Sequence, residues 1–338
     1  MDTTDMTPTA TRTPAHDSSP GRASHPTRAT SPGDRPSPRL PAWTRVLLAT
    51  ALFLPVALIG VLLYLIPGFL DLMSGDGVTV VLAYAMTAGV ILAGYLLVSW
   101  ALTRFVDRRP ARALGWRLDG RALLALVAGY AITQAVSLLG TGTALVTGLV
   151  EPMTGLPDLP ELTAGAIMTA LAITLLRSFV LQGIGEEVLF RGYVLQSLSR
   201  RPILAVAITA AAFTLPHLAS SGGQQNLLER VLFLAVPFGF SFSAGFLAIA
   251  MRSVWAAVGI HGGFHLATAV TTLLLPPTDG PVLWVLLGAM HVVVGVVIAV
   301  AVPDSRWSEV REHGPYAARS AATAPRSAVA PEVASPRW

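Results

Sequence analysis

Eight long apolar runs make up most of this chain, near residues 44–66, 78–102, 122–149, 163–190, 203–219, 227–250, 254–275 and 281–302. About 20 apolar residues span a bilayer as a helix. Lipid offers the backbone no hydrogen bonds, so exposed strands cannot satisfy their peptide groups there. The expected fold is therefore all-α: a polytopic membrane helix bundle of about eight transmembrane helices, with any active site inside the bundle. Composition agrees. Of 338 residues only 12% are charged and 53% are hydrophobic, whereas a soluble domain carries about 25% charged residues. The fifth run is short. The fourth is long enough to continue past the membrane centre.

Residues 1–40 are rich in Pro, Ser, Thr and Arg and hold too few large apolar side chains to fold, which predicts a disordered cytoplasmic tail. No short apolar region lies near Met1, so no cleavable signal peptide is expected there. Residues 41–303 form the predicted transmembrane domain, and 304–338, polar and Ala/Pro/Arg-rich, a second disordered cytoplasmic tail. Arginines alternate across the loops. Arg104, Arg108, Arg109, Arg112, Arg117 and Arg121 separate runs two and three, Arg200 and Arg201 runs four and five, and Arg252 runs six and seven; Arg306 and Arg311 follow run eight. The opposite loops carry Asp71 and Asp76, then Glu151, Asp158 and Glu161, then residues 220–226, then Asp279. Positive charge marks the cytoplasmic side, so both termini are expected in the cytoplasm of a multi-pass cell-membrane protein. The formal charge of +4 reflects this topology and not nucleic-acid binding. With neither cysteine nor lysine in the sequence, thiol and lysine nucleophiles, thiolate metal sites and disulfides are excluded.

Three polar islands interrupt the apolar runs: Gly185-Glu186-Glu187-Val188-Leu189-Phe190-Arg191-Gly192, then Phe213 to His217, then His261 to His265. Ionisable groups at membrane depth are costly and usually functional. If runs four and five form a hairpin turning at Arg201-Pro202, Glu186 and His217 both lie roughly 22 Å from that turn, and His261 and His265 lie roughly 14–20 Å from Arg252, by helix rise. Three distant segments thus reach one depth, which predicts a shared polar cavity opening towards the cytoplasm. Glu187 and Arg191, at i,i+4, share a face and can neutralise each other. Glu186 points about 100° away and is left free for chemistry. His261 and His265 share a face at the spacing that lets two imidazoles reach one centre. Phe213 reads as core packing beside His217, and His291 as a core histidine. Arg177, nine residues before Glu186, falls on the opposite face of an ideal helix. The glycines from 259 to 263 suit close helix packing.

In this order the islands resemble the CPBP family of intramembrane proteases, also called the CAAX protease and bacteriocin-processing, or Abi, family, whose pattern is EExxxR, FxxxH and HxxxN or HxxxD. The resemblance covers a protease core at about 163–275. It implies an endopeptidase, glutamic-type or metal-dependent, that cuts a membrane-associated substrate, prenylated or bacteriocin-like, with activated water. Glu186 and His217 would activate the water, Glu187 and Arg191 would support the site, and His261 and His265 would stabilise the oxyanion. His265 stands where the family has Asn or Asp. Two routes stay open: no cofactor, or Zn²⁺ held by Glu186, His217, His261 and His265. The competing readings are a proton-coupled membrane transporter, and a catalytically silent immunity or scaffold protein of the same fold. Partners are the substrate and the lipid bilayer, with no nucleic acid; nothing in the sequence sets the oligomeric state.

Overall fold

The computed structural model describes residues 37–154, 163–220 and 222–317. Among them there is no strand, and eight helices are long and apolar enough to cross a membrane: α1 (Ala42–Leu65), α2 (Gly77–Val106), α3 (Gly120–Val146), α4 (Ala164–Leu195), α5 (Pro202–Ala219), α6 (Leu227–Met251), α7 (Val254–Leu274) and α8 (Pro281–Ala301). The expected polytopic bundle is what forms. Local sequence explains the starts. Asp119, Thr163, Asn226 and Ser253 cap α3, α4, α6 and α7 by accepting a backbone N–H of the first turn. Proline opens α5 and α8, where its missing N–H costs nothing.

Helix α7 is the centre of the packing. It lies against α3, α4 and α6, and α6 in turn lies against α5 and α8. In lipid, helices approach where side chains are smallest. A Cβ on Gly259 would strike the Leu126 carbonyl of α3, and one on Gly262 would strike Phe179 and the Ser178 carbonyl of α4. These glycines hold α7 close to both neighbours, as their sequence pattern implied.

Contacts between loops sort the two ends of the bundle. Arg109 donates to the Gln196 carbonyl, and Arg45 pairs with Asp107 at 3.1 Å, which Ser197 also contacts. At the other end Met153 bonds to the Pro277 carbonyl and Arg230 to that of Ser220. The arginine-rich loops thus share one end and the acidic loops the other. If the positive-inside rule governs insertion, reporter fusions after Arg109, Arg201 and Arg306 will report the cytoplasm and fusions after Asp76 and Asp279 the outside. One site of the wrong sidedness would refute the assignment.

The polar stretch after α8 departs from the expected disorder. Asp304–His313 forms a helix, α9, with Arg306, Trp307 and Val310 buried against Leu195, Val206, Phe246 and Ile249. Its charges are used internally, which is why composition alone misreads it. Glu309 pairs with both Arg252 and Arg306, and Arg306 also donates to the Ile249 and Pro315 carbonyls. The Arg252 hydrogen bond holds the Glu309 carboxyl below its ordinary range. Most of the two predicted tails, 1–36 and 318–338, lies outside the described residues.

Candidate active site

Helix α4 is not a uniform α-helix. Leu176–Gly183 and Val188–Leu195 are π-helical, and between them a four-residue α turn, Ile184–Glu187, carries both glutamates. Such π segments cluster at functional sites. A π turn holds more residues than an α turn, so face counting at 3.6 residues per turn fails across Leu176–Gly183, between Arg177 and the glutamates. Arg177, expected on the far face, instead lines the same cavity as His217, His261 and His265.

The Glu187–Arg191 pair forms as the i,i+4 spacing predicted, and both side chains are fully buried. Arg191 Nη1 donates to Glu187 Oε1 at 2.8 Å. Its Nη2 donates to the Ser241 carbonyl at 2.9 Å and to Ser241 Oγ. The guanidinium carbon lies 4.9 Å from the centre of the Phe213 ring, a cation–π arrangement. Phe213 therefore does more than fill space: its ring also packs on His217 and His261.

Glu187 Oε1 accepts from His261 Nδ1 as well, at 3.0 Å. That bond settles the imidazole: with Nδ1 donating, Nε2 of the neutral ring is an acceptor. Nε2 lies 4.0 Å from Glu186 Oε2. Phe240 stacks on the His261 ring at 4.9 Å and fixes its plane. Glu186 is 6% exposed, and its Oε2 has no hydrogen-bond partner. It is thus apart from the Arg191 pair, as helix geometry predicted. Gly185 lets Tyr95 of α2 close against this turn, since a Cβ there would overlap its ring.

Helix α5 ends in a 3₁₀ turn, Leu215–Ala219. His217 Nδ1 donates to the Phe213 carbonyl at 2.9 Å, so its neutral Nε2 is also an acceptor. His265 sits one turn beyond His261, ring centres 5.5 Å apart. The three histidines line one cavity of about 480 Å³, as their depths predicted, but Glu186 is not among its lining residues. The direction of the cavity differs from that expected. The cavity runs to Ser220, Gly222, Thr278 and Asp279, at the acidic end of the bundle, not the arginine-rich end. The arginine-rich end is closed instead by Tyr316, which follows α9 and donates to the Arg191 carbonyl at 2.9 Å. Partly buried against the bundle, its phenol titrates above the ordinary range because burial disfavours the charged form.

A Zn²⁺ site needs at least three protein donors around one point. Among the described residues no three His, Asp or Glu side chains come together so. The Nδ1 atoms of His217 and His261 bond to the Phe213 carbonyl and to Glu187, which leaves each Nε2 open as an acceptor.

Sequence reading missed Ser241, Tyr316, Tyr95 and Phe53, the last packing on the His217 ring at 6.0 Å. None carries a local signal, because each reaches the site from a helix or loop far away in sequence. His291 is a buried core residue bonded to Ser243, as read.

Residues 168–267 match the model of a family described as Rce1-like, type II CAAX prenyl endopeptidase. The match spans all three polar islands, so the resemblance carried by those motifs holds over this segment. At family level the chain is similar to intramembrane CAAX-type endopeptidases. No curated protein and no solved structure matches the chain.

Proposed function

We propose that this chain is an intramembrane endopeptidase in which Glu186 is the general base and metal-free water the nucleophile. One observation carries the reading most: a buried carboxylate oxygen without a protein partner, 4.0 Å from an imidazole nitrogen whose orientation the Glu187–Arg191 pair holds. Glu186 takes a proton from water, which His217 Nε2 helps to orient by accepting its second hydrogen. The hydroxide attacks the scissile carbonyl. The resulting oxyanion needs donors. Neutral His261 has only an acceptor left, so it can serve there only as the imidazolium. His265 makes no hydrogen bond among the described residues, so a neutral ring can offer an N–H in place of the family's amide. Glu186 then returns its proton to the leaving amine as the C–N bond breaks.

The test is cleavage by the purified chain, reconstituted in vesicles, of a library of membrane-associated peptides, prenylated and not, read as new termini by mass spectrometry. Cleavage that survives a strong zinc chelator supports the reading. Chelator-sensitive cleavage would replace the metal-free route by a metal-dependent one. Uptake of protons or solute without new termini would favour transport.

A further inference from the structure

A second cavity, of about 710 Å³, opens at the arginine-rich end of the bundle and shares no lining residue with the first. Two segments far apart in sequence form it. Arg200, Arg201 and Pro202 come from the turn between α4 and α5, and Asp304, Trp307 and Arg311 from α9. Ile203, Leu204 and Ala207 complete the wall. They stand at i, i+1 and i+4 and share one side of the first turns of α5. Arg200, Arg201 and Arg311 are exposed. Among the described residues Arg200 and Arg201 make no side-chain hydrogen bond or ion pair, and Arg311 reaches only Ser308 Oγ at 2.9 Å. Elsewhere Arg45, Arg191, Arg252 and Arg306 each have a carboxylate partner. Asp304, the one carboxylate of the lining, pairs with none of the three arginines, so the cavity keeps a clear positive excess.

The charged and apolar parts of this lining follow one another in the order of a lipid. The arginines stand at the helix ends, at the level of the headgroups. Ile203 and Leu204, 61% and 47% exposed, continue from them towards the membrane interior. Ala207 lies six residues past Arg201, about 9 Å deeper by helix rise. Trp307 stands beside the arginines, and tryptophan favours the membrane–water boundary. From these observations we propose that the cavity holds an anionic phospholipid of the leaflet at the arginine-rich end. Its phosphate lies among Arg200, Arg201 and Arg311, and an acyl chain runs along Ile203, Leu204 and Ala207. Guanidinium suits the phosphate because its planar fork of donors matches the oxygens, and basic pockets beside membrane helices take lipid headgroups in this way. A free phosphate would use the arginines and leave the apolar strip empty, so the strip decides for a lipid. Such a lipid ties α9 to the α4–α5 turn. The site does not depend on the peptidase reading.

The purified full chain in phosphatidylcholine nanodiscs would be titrated with phosphatidylglycerol, with retained lipid read by native mass spectrometry. The wild type is expected to retain phosphatidylglycerol over phosphatidylcholine and to melt higher with it. Each basic residue beside an anionic headgroup strengthens binding about five-fold, so Arg200→Gln, Arg201→Gln and Arg311→Gln together should weaken retention about 100-fold. Arg104→Gln, Arg117→Gln and Arg121→Gln together remove the same charge from exposed residues of the same end outside the cavity. That control should retain the lipid as the wild type does. Equal melting in pure phosphatidylcholine checks that each variant folds, and single replacements, each about five-fold weaker, serve if the triple variant melts low. Equal losses in the cavity and control variants would reduce the effect to general attraction by the leaflet and overturn the site. Retention unchanged in the cavity variants, or no preference for the anionic lipid in the wild type, would overturn it too. Inorganic phosphate tests the free anion: if it raises the melting temperature as much as phosphatidylglycerol at equal concentration, the lipid assignment fails.

Discussion

Glu186→Gln will abolish peptide hydrolysis while the protein remains folded. Glutamine keeps the shape and volume of the side chain but cannot accept a proton from water. Loss of a general base typically costs ~10²–10⁴-fold in rate. The fold should tolerate the change because Glu186 makes no ion pair with Arg191, and its Oε2 has no partner to lose. Glu186→Ala should be equally inactive. Turnover and thermal melting measured on the same preparations decide the matter. Wild-type turnover in Glu186→Gln would remove the residue from the chemistry, and a collapse in melting temperature would make its role structural.

The second large effect is on stability. Arg191 is 0% exposed and joins Glu187, Ser241 and the Phe213 ring. Arg191→Ala strands the Glu187 carboxylate in the bundle with only His261 as a partner. Breaking a buried pair in this way costs on the order of 3–5 kcal/mol, so folded yield and melting temperature should fall sharply, and activity with them. The double change Glu187→Leu with Arg191→Leu removes both charges and should recover stability beyond either single change. Recovery should stay incomplete, since His261 Nδ1 and the Ser241 carbonyl would lose their partners. Single variants that melt like the wild type would show that the pair contributes nothing.

The proposed mechanism would thus divide catalytic chemistry and stability between adjacent residues of one turn. Glu187 is tied through Arg191 to α6 and through His261 to α7. Glu186 makes no pair with Arg191 and only the 4.0 Å approach to His261. The division was legible in the sequence, because 100° separates neighbouring residues on a helix and i,i+4 spacing aligns Glu187 with Arg191.

Three things about this protein were determined by its sequence alone: the membrane as solvent, eight crossings, and Glu186, Glu187, Arg191, His217, His261 and His265 as the residues worth attention. Each follows from a one-dimensional quantity: run length against bilayer thickness, and charge against the cost of burying it. Tertiary structure alone decided the rest. The π segments of α4 swing Arg177 into the cavity, and no local periodicity announces them. The cavity opens at the acidic end because Tyr316 and α9 close the other, and their burial rests on partners 50 or more residues away, such as Arg252 and Ile249. Depth along a helix can be counted from sequence. Direction around a distorted helix, and which end a distant segment covers, depend on packing between segments that the chain order does not record.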